Sequence, residues 1–350
     1  MRFHFQRTIA SSQATLPVVG VIALGLWYLL PVPVNGGGDV CADYGLWHLM
    51  PSFLQEGYWT IGLSALGAVL GVYLMTELNN AYILLRVSSR MIGSTYALLV
   101  AITVVCHRFQ PGSIVALLSL LSFFPLFVSY QLPNPRLSFM THLLVSLASL
   151  VFPKMLFLVP IYWLLQGFLR AFSFRCFMAS LLAVLLPYWF YGGLAFALGF
   201  WSDFATQVSA VFEVQWFDYS QLDGRHFFTF GFLVLLFLSG AIDFYHNRFL
   251  DKARIRTLYN VVILHGGSIM LTICLFPQFF SVLVHLLLID TAIVFGHFFT
   301  LTHTLFSHIY NIVLLLFALV VVAAQYVLDA SGFTFAPTGV PFHATTLIPL

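Results

Sequence analysis

Long apolar runs separated by short polar breaks fill this chain of 350 residues. A helix that crosses a bilayer needs about 20 apolar residues, fewer where the membrane thins. Eleven runs meet or approach that length: 14–34, 58–76, 92–107, 113–130, 138–152, 155–170, 177–199, 226–245, 258–276, 278–298 and 306–328. The runs at 92–107 and 138–152 are short, and either also reads as a re-entrant or half-crossing element. No segment alternates apolar and polar residues with the two-residue period of a strand. The pattern predicts an all-α polytopic transmembrane bundle of about 11 spans, one integral membrane domain over 1–350.

Composition agrees with the pattern. Apolar residues make up 61% of the chain and charged residues 7%, against about a quarter charged in an ordinary soluble domain. A water-soluble monomer could not cover its surface with so few charges. Soluble enzymes, secreted disulfide scaffolds and disordered chains are excluded on this ground. The net charge of +2 is too small to point to nucleic acid. Cys41, Cys106, Cys176 and Cys274 are scattered and form no CxxC pair, so they read as single thiols.

Lysine and arginine set the orientation. With the N-terminus inside, the inner segments hold Arg2, Arg7, Arg86, Arg90, Arg136, Arg170, Arg175, Arg248, Lys252, Arg254 and Arg256. The outer segments hold only Arg108, Lys154 and Arg225. Asp39, Asp43, Glu56, Asp203, Glu213, Asp218, Asp223 and Asp329 fall outside. This predicts a multi-pass protein of the bacterial inner (cytoplasmic) membrane, with a cytoplasmic N-terminus and an outer C-terminal tail over 329–350. The first apolar run has no clear cleavage site and reads as an uncleaved span.

Two outer connections are long enough to carry chemistry. The first, 35–57, breaks at Gly36–Gly38, carries Asp39 and Asp43 four residues apart, and continues into Trp47, Tyr58 and Trp59. The second, 200–225, alternates acids with Trp216, Phe217 and Tyr219 and turns at Asp223-Gly224. Both read as interfacial helices on the outer leaflet. The bland reading is aromatic anchoring with solvated acids; the functional one is a cleft for a polar group at the lipid surface. On the inner side, Arg248 to Arg256 form the densest basic cluster, suited to anionic lipid, a lipid phosphate or a cytoplasmic partner.

Ionisable groups at bilayer depth are the remaining leads, because an unpaired one is costly there. They are Asp243, His265, His285, Asp290, His297, His303 and His308, with His142 and Lys154 earlier. His285, Asp290 and His297 share one span, and seven residues, two turns, put His297 near the face of Asp290. HExxH, GxSxG and phosphate-loop motifs are absent, so no zinc-protease, serine-nucleophile or nucleotide chemistry is indicated. The roles of His285, His297, His303 and His308 stay open between structural hydrogen bonding and a metal or haem site.

The phrases ELNNAYILLRVSSRM, RAFSFRCFMASLLAVLLPYW and GHFFTLTHTLFS resemble an uncharacterised bacterial family of polytopic inner-membrane proteins, a family without established chemistry. Residues 141–190 resemble the middle of GT-C type membrane glycosyltransferases. The likeness lies in the small residues of 146–149, the Pro153-Lys154 break, Pro160, the Arg170/Arg175 turn and the Pro187-Tyr188-Trp189 end. It extends to an acidic first outer loop, where Asp39 and Asp43 fall. The resemblance implies a polyprenyl-phosphate-linked sugar entering from the bilayer for cell-envelope glycan assembly. Asp39 or Asp43 would act as general base on an acceptor, or bind a divalent metal ion over the leaving phosphate. Lys154 or Arg225 would neutralise that phosphate. A non-catalytic scaffold with a membrane-protein partner and, after it, a transporter are the competing functions.

Overall fold

A computed structural model describes residues 12, 14–29, 46–47, 58–85, 89–213, 216–219, 222, 224–302 and 305–331. Within them the chain is all-helical, with no strand. The long helices are α1 (Thr15–Leu29), α2 (Tyr58–Tyr82), α3 (Met91–Ile102), α4 (Pro111–Val128), α5 (Pro135–Val151) and α6 (Val159–Phe168). They continue as α7 (Phe174–Leu198), α8 (Trp201–Phe212), α9 (Gly224–Asn247), α10 (Ala253–Leu275), α11 (Phe280–Leu301) and α12 (Leu305–Ser331). Among the described residues, each of the eleven apolar runs overlaps a helix. Among the described residues, six stretches are long and apolar enough to cross a membrane unaided, in α2, α4, α7, α9, α10 and α11. The runs at 92–107 and 138–152 form helices of 12 and 17 residues, and 155–170 splits into a 3-10 turn over Pro153–Leu158 followed by α6.

Proline, serine and asparagine set many of the boundaries. Pro111 and Pro135 start α4 and α5 at the position where a missing N–H costs nothing. Asn134 accepts a hydrogen bond from the Arg136 amide, and Ser173 accepts one from the Cys176 amide, so both cap the helices that follow. Phe152 is extended before Pro153, which ends α5. Gly199 closes α7 with φ +82°, a conformation side chains disfavour. Ile83, Gln131 and Arg170 take up similar left-handed positions at the ends of α2, α4 and α6.

Helix α11 is the axis of the bundle. It packs against α3, α4, α9 and α10, while α5 joins α4 to α7. Turns from distant parts of the chain meet at two ends. At one, the Tyr82 hydroxyl donates to the Phe124 carbonyl, Arg254 lies over the Tyr82 ring, and the Gln131 amide donates to Leu169. At the other, the Phe109 amide donates to Thr60, and the Phe217 amide to Leu275. The first end carries Arg248, Lys252, Arg254 and Arg256; the second carries Asp203, Glu213 and Asp218. The helices joined by these contacts run between a basic end and an acidic end. The outward surface between the ends is hydrocarbon: Val69, Tyr73, Trp189, Phe190 and Phe196 are all more than half exposed. Such a surface calls for lipid, not water.

Candidate functional site

Three places concentrate polar side chains, one at each end of the bundle and one in its middle. At the acidic end, α8 is strongly amphipathic and packs on α7 and on the 3-10 turn that follows α5. Its last carbonyls lack partners within the helix, as at any helix C-terminus. Lys154 supplies them. Its ammonium donates to the carbonyls of Ala210, Val211 and Glu213 and lies 5.7 Å from the centre of the Phe279 ring. Partial burial pulls this lysine below its usual pKa, and the Glu213 carboxylate opposes the shift. Gln207, on the same helix, is buried and donates to the carbonyls of Ser149 and Leu150. Beside this clasp runs a narrow cleft walled by Phe152, Phe157, Phe276 and Phe279, with Lys154 and Glu213 as its charged lining.

In the middle, His265 of α10 and Asp290 of α11 form a buried pair, Nδ1 to Oδ2, 2.8 Å apart. Neither is exposed by more than 1%. Gly266 lets the two helices approach: a Cβ there would lie 2.9 Å from that of Asp290 and 2.5 Å from the Phe237 ring. Phe123 and Tyr162 meet the imidazole edge-on, with centroids 5.0 and 5.5 Å away. The Tyr162 hydroxyl bonds to Ser119 and Ser122 of α4. His265 Nε2 and Asp290 Oδ1 have no hydrogen-bond partner among the described residues. A lone carboxylate in this surrounding would be very costly, so each group is tolerated because of the other.

At the basic end, His297 of α11 lies with Nε2 3.4 Å from Asp251 Oδ2, both side chains buried. Tyr259 and Phe244 pack edge-on to its ring. Asp243 accepts from Asn247 and from Thr302, which ties α9 to the end of α11.

Asp39 and Asp43, the expected carboxylates, lie outside the described residues, as do His303 and the His308 side chain. Lys154 and Arg225 both sit at the acidic end, Lys154 in the clasp and Arg225 in the first turn of α9. The described part of 200–225 includes the amphipathic helix α8. The grouping of His285, Asp290 and His297 resolves into three separate roles. His285 Nδ1 donates to the Ser281 carbonyl one turn back, Asp290 takes His265, and His297 meets Asp251. His142 likewise donates to the Ser138 carbonyl of its own helix. Among the described residues no three His, Cys, Asp or Glu side chains converge as metal ligands do, so a divalent ion finds no fit there. Tyr162, Ser119, Ser122 and Asp251 escape sequence reasoning; the spacing of Ser119 and Ser122, three apart on one face of α4, is the signal for the two serines alone. Comparisons with family models, curated proteins and solved structures return no match for this chain.

Proposed function

We propose that this multi-pass membrane protein is a lipid-linked glycosyltransferase of GT-C-like design, working at its acidic end. The observation that supports the reading is the cleft beside α8. Its walls are phenylalanine, its charged lining is Lys154 and Glu213, and it lies at one end of a bundle sheathed in hydrocarbon. Aromatic walls beside a cation match in kind an isoprenoid chain joined to a phosphate, a substrate that reaches the protein through the bilayer; the cleft holds about 10 Å³, so in this reading the chain lies along its open side or parts its walls. Asp39 or Asp43, in the first loop, is the general base of this reading, taking a proton from the acceptor hydroxyl as the sugar leaves its phosphate. Lys154, which lines this cleft, is the cation nearest the phosphate in this reading, and it meets the phosphate by giving up carbonyl partners at the end of α8.

The test is sugar release from a panel of polyprenyl-phosphate monosaccharides, with water and an added polyol or glycan as hydroxyl acceptors, by the full chain in proteoliposomes. Asp39→Asn or Asp43→Asn is expected to slow release about 100-fold or more, with thermal unfolding unchanged. Wild-type turnover in both variants, or no release by the wild type from any donor, contradicts the reading. A diazirine-bearing polyprenyl phosphate should in addition crosslink within 152–158 or 276–283. Equal labelling by the neutral polyprenol would remove the role given to the phosphate.

A further inference from the structure

The turn between α9 and α10 with the first turn of α10 reads Arg248-Phe-Leu-Asp-Lys-Ala-Arg-Ile-Arg256, and the structure sorts these residues by side. Asp251 is the one acid between Phe244 and Arg256. It is turned into the bundle, 5% exposed, with its carboxylate against His297. Ile255 is buried beside it. Arg248, Lys252, Arg254 and Arg256 all face outward. Among the described residues no carboxylate pairs with any of the four. Two of the guanidiniums rest on aromatic rings instead, Arg248 on Tyr245 at 5.9 Å and Arg254 on Tyr82 at 5.8 Å. Between them Phe249 and Leu250 stand 70% and 56% exposed.

From this sorting, four unpaired cations around two outward apolar side chains at the end of two spans, we infer a binding site for anionic phospholipid headgroups. The apolar pair enters the boundary between headgroups and acyl chains, and the cations reach the phosphates above it. Withdrawal of Asp251 makes the site. In the linear sequence the acid sits among the cations and would offset one of them; in the fold its carboxylate is buried on the side of His297, away from them. An acidic protein segment would satisfy the charges but leave Phe249 and Leu250 in water, which favours the bilayer as the occupant. The site lies at the opposite end from the cleft beside α8 and stands independently of it.

The experiment is native mass spectrometry of the full chain in neutral detergent, with phosphatidylglycerol and phosphatidylcholine added in equal amounts. The wild type is expected to retain phosphatidylglycerol at least about tenfold over phosphatidylcholine. The R248Q/K252Q/R254Q/R256Q variant should lose that preference, and F249S/L250S should weaken retention of both lipids. Asp251→Asn should leave the preference unchanged, because that carboxylate faces inward. A diazirine-bearing phosphatidylglycerol should label 245–256 in the wild-type protein, a readout that needs no variant to fold. Equal retention of the two lipids by the wild type, an unchanged preference in the quadruple variant, or labelling elsewhere overturns the proposal. Binding of an acidic peptide in place of phosphatidylglycerol overturns it as well.

Discussion

Helices α2 and α11 look alike as strings of letters and live in opposite surroundings. In the most apolar 18-residue stretch of each, 22% of the residues of α2 are buried inside the protein and 89% of those of α11. Both are long, apolar and nearly free of charge, so hydropathy ranks them together. What separates them is where their polar atoms go. Thr60, Ser64 and Asn79 of α2 are buried on one side, and its remaining surface is left to lipid. Helix α11 carries His285, Asp290, Thr291, His297 and Thr300 in a ring of neighbouring helices, most of them with a partner from the protein. A membrane helix that is apolar all round can serve either purpose. A buried ionisable group on it shows that protein, not lipid, surrounds that depth.

Substitutions can break this contrast. Asp290→Ala on α11 should cost about 3–5 kcal/mol of stability, because His265 loses its one hydrogen-bond partner among the described residues and a cavity is left. The double replacement His265→Leu/Asp290→Leu should cost much less than the two single leucine changes combined, since a matched apolar pair needs no partner. Thermal unfolding in detergent measures both, and additive losses would mean that the two residues do not act as a pair. Next in size, Gly266→Ala should cost about 1–3 kcal/mol by pushing α10 away from Phe237 and Asp290. Its counterpart on α2, Gly67→Ala, meets nothing within 4 Å and should change stability by less than about 0.5 kcal/mol. Equal effects at the two glycines would erase the distinction between the helices.

Smaller effects sharpen the picture at the ends. Lys154→Met should release the last turn of α8 and cost about 1–2 kcal/mol locally. Hydrogen exchange should therefore quicken over 209–213 while α11 keeps its protection; unchanged exchange would deny the clasp its role. At the end of α2, Ile83 has φ +52° and is 65% exposed. Its branched side chain opposes that conformation, so Ile83→Gly should raise stability by about 1 kcal/mol. A loss on this substitution would show that the side chain contributes more than its backbone costs.

Much of this architecture is readable before any coordinates, because bilayer thickness dictates run length and charge dictates side. The helical character of 200–212 follows from apolar residues spaced three and four apart, Trp201, Phe204, Val208 and Val211. The pairing of buried groups is not readable in the same way. His265 and Asp290 each stand out as ionisable residues in apolar runs, yet 25 residues and a turn separate them. What brings them together is the rotation of α10 about its axis, set by the close approach at Gly266. Spacing on one helix misleads for a related reason. His285 and His297 belong to the same span, but at 1.5 Å per residue they are about 18 Å apart along its axis, at opposite ends of the bundle. Asp251 illustrates the same limit on a turn, where the backbone decides which of nine neighbouring residues faces inward.

The account rests on a bundle whose basic and acidic ends lie on opposite sides of a membrane. In a Cys41→Ser/Cys274→Ser background, Leu250→Cys and Ser202→Cys place one thiol at each end, and a membrane-impermeant maleimide reads which is accessible in intact cells and in inverted vesicles. The account predicts that the two preparations label different sites, Ser202→Cys in cells and Leu250→Cys in inverted vesicles. Labelling of both thiols in the same preparation, with neither labelled in the other, would contradict it.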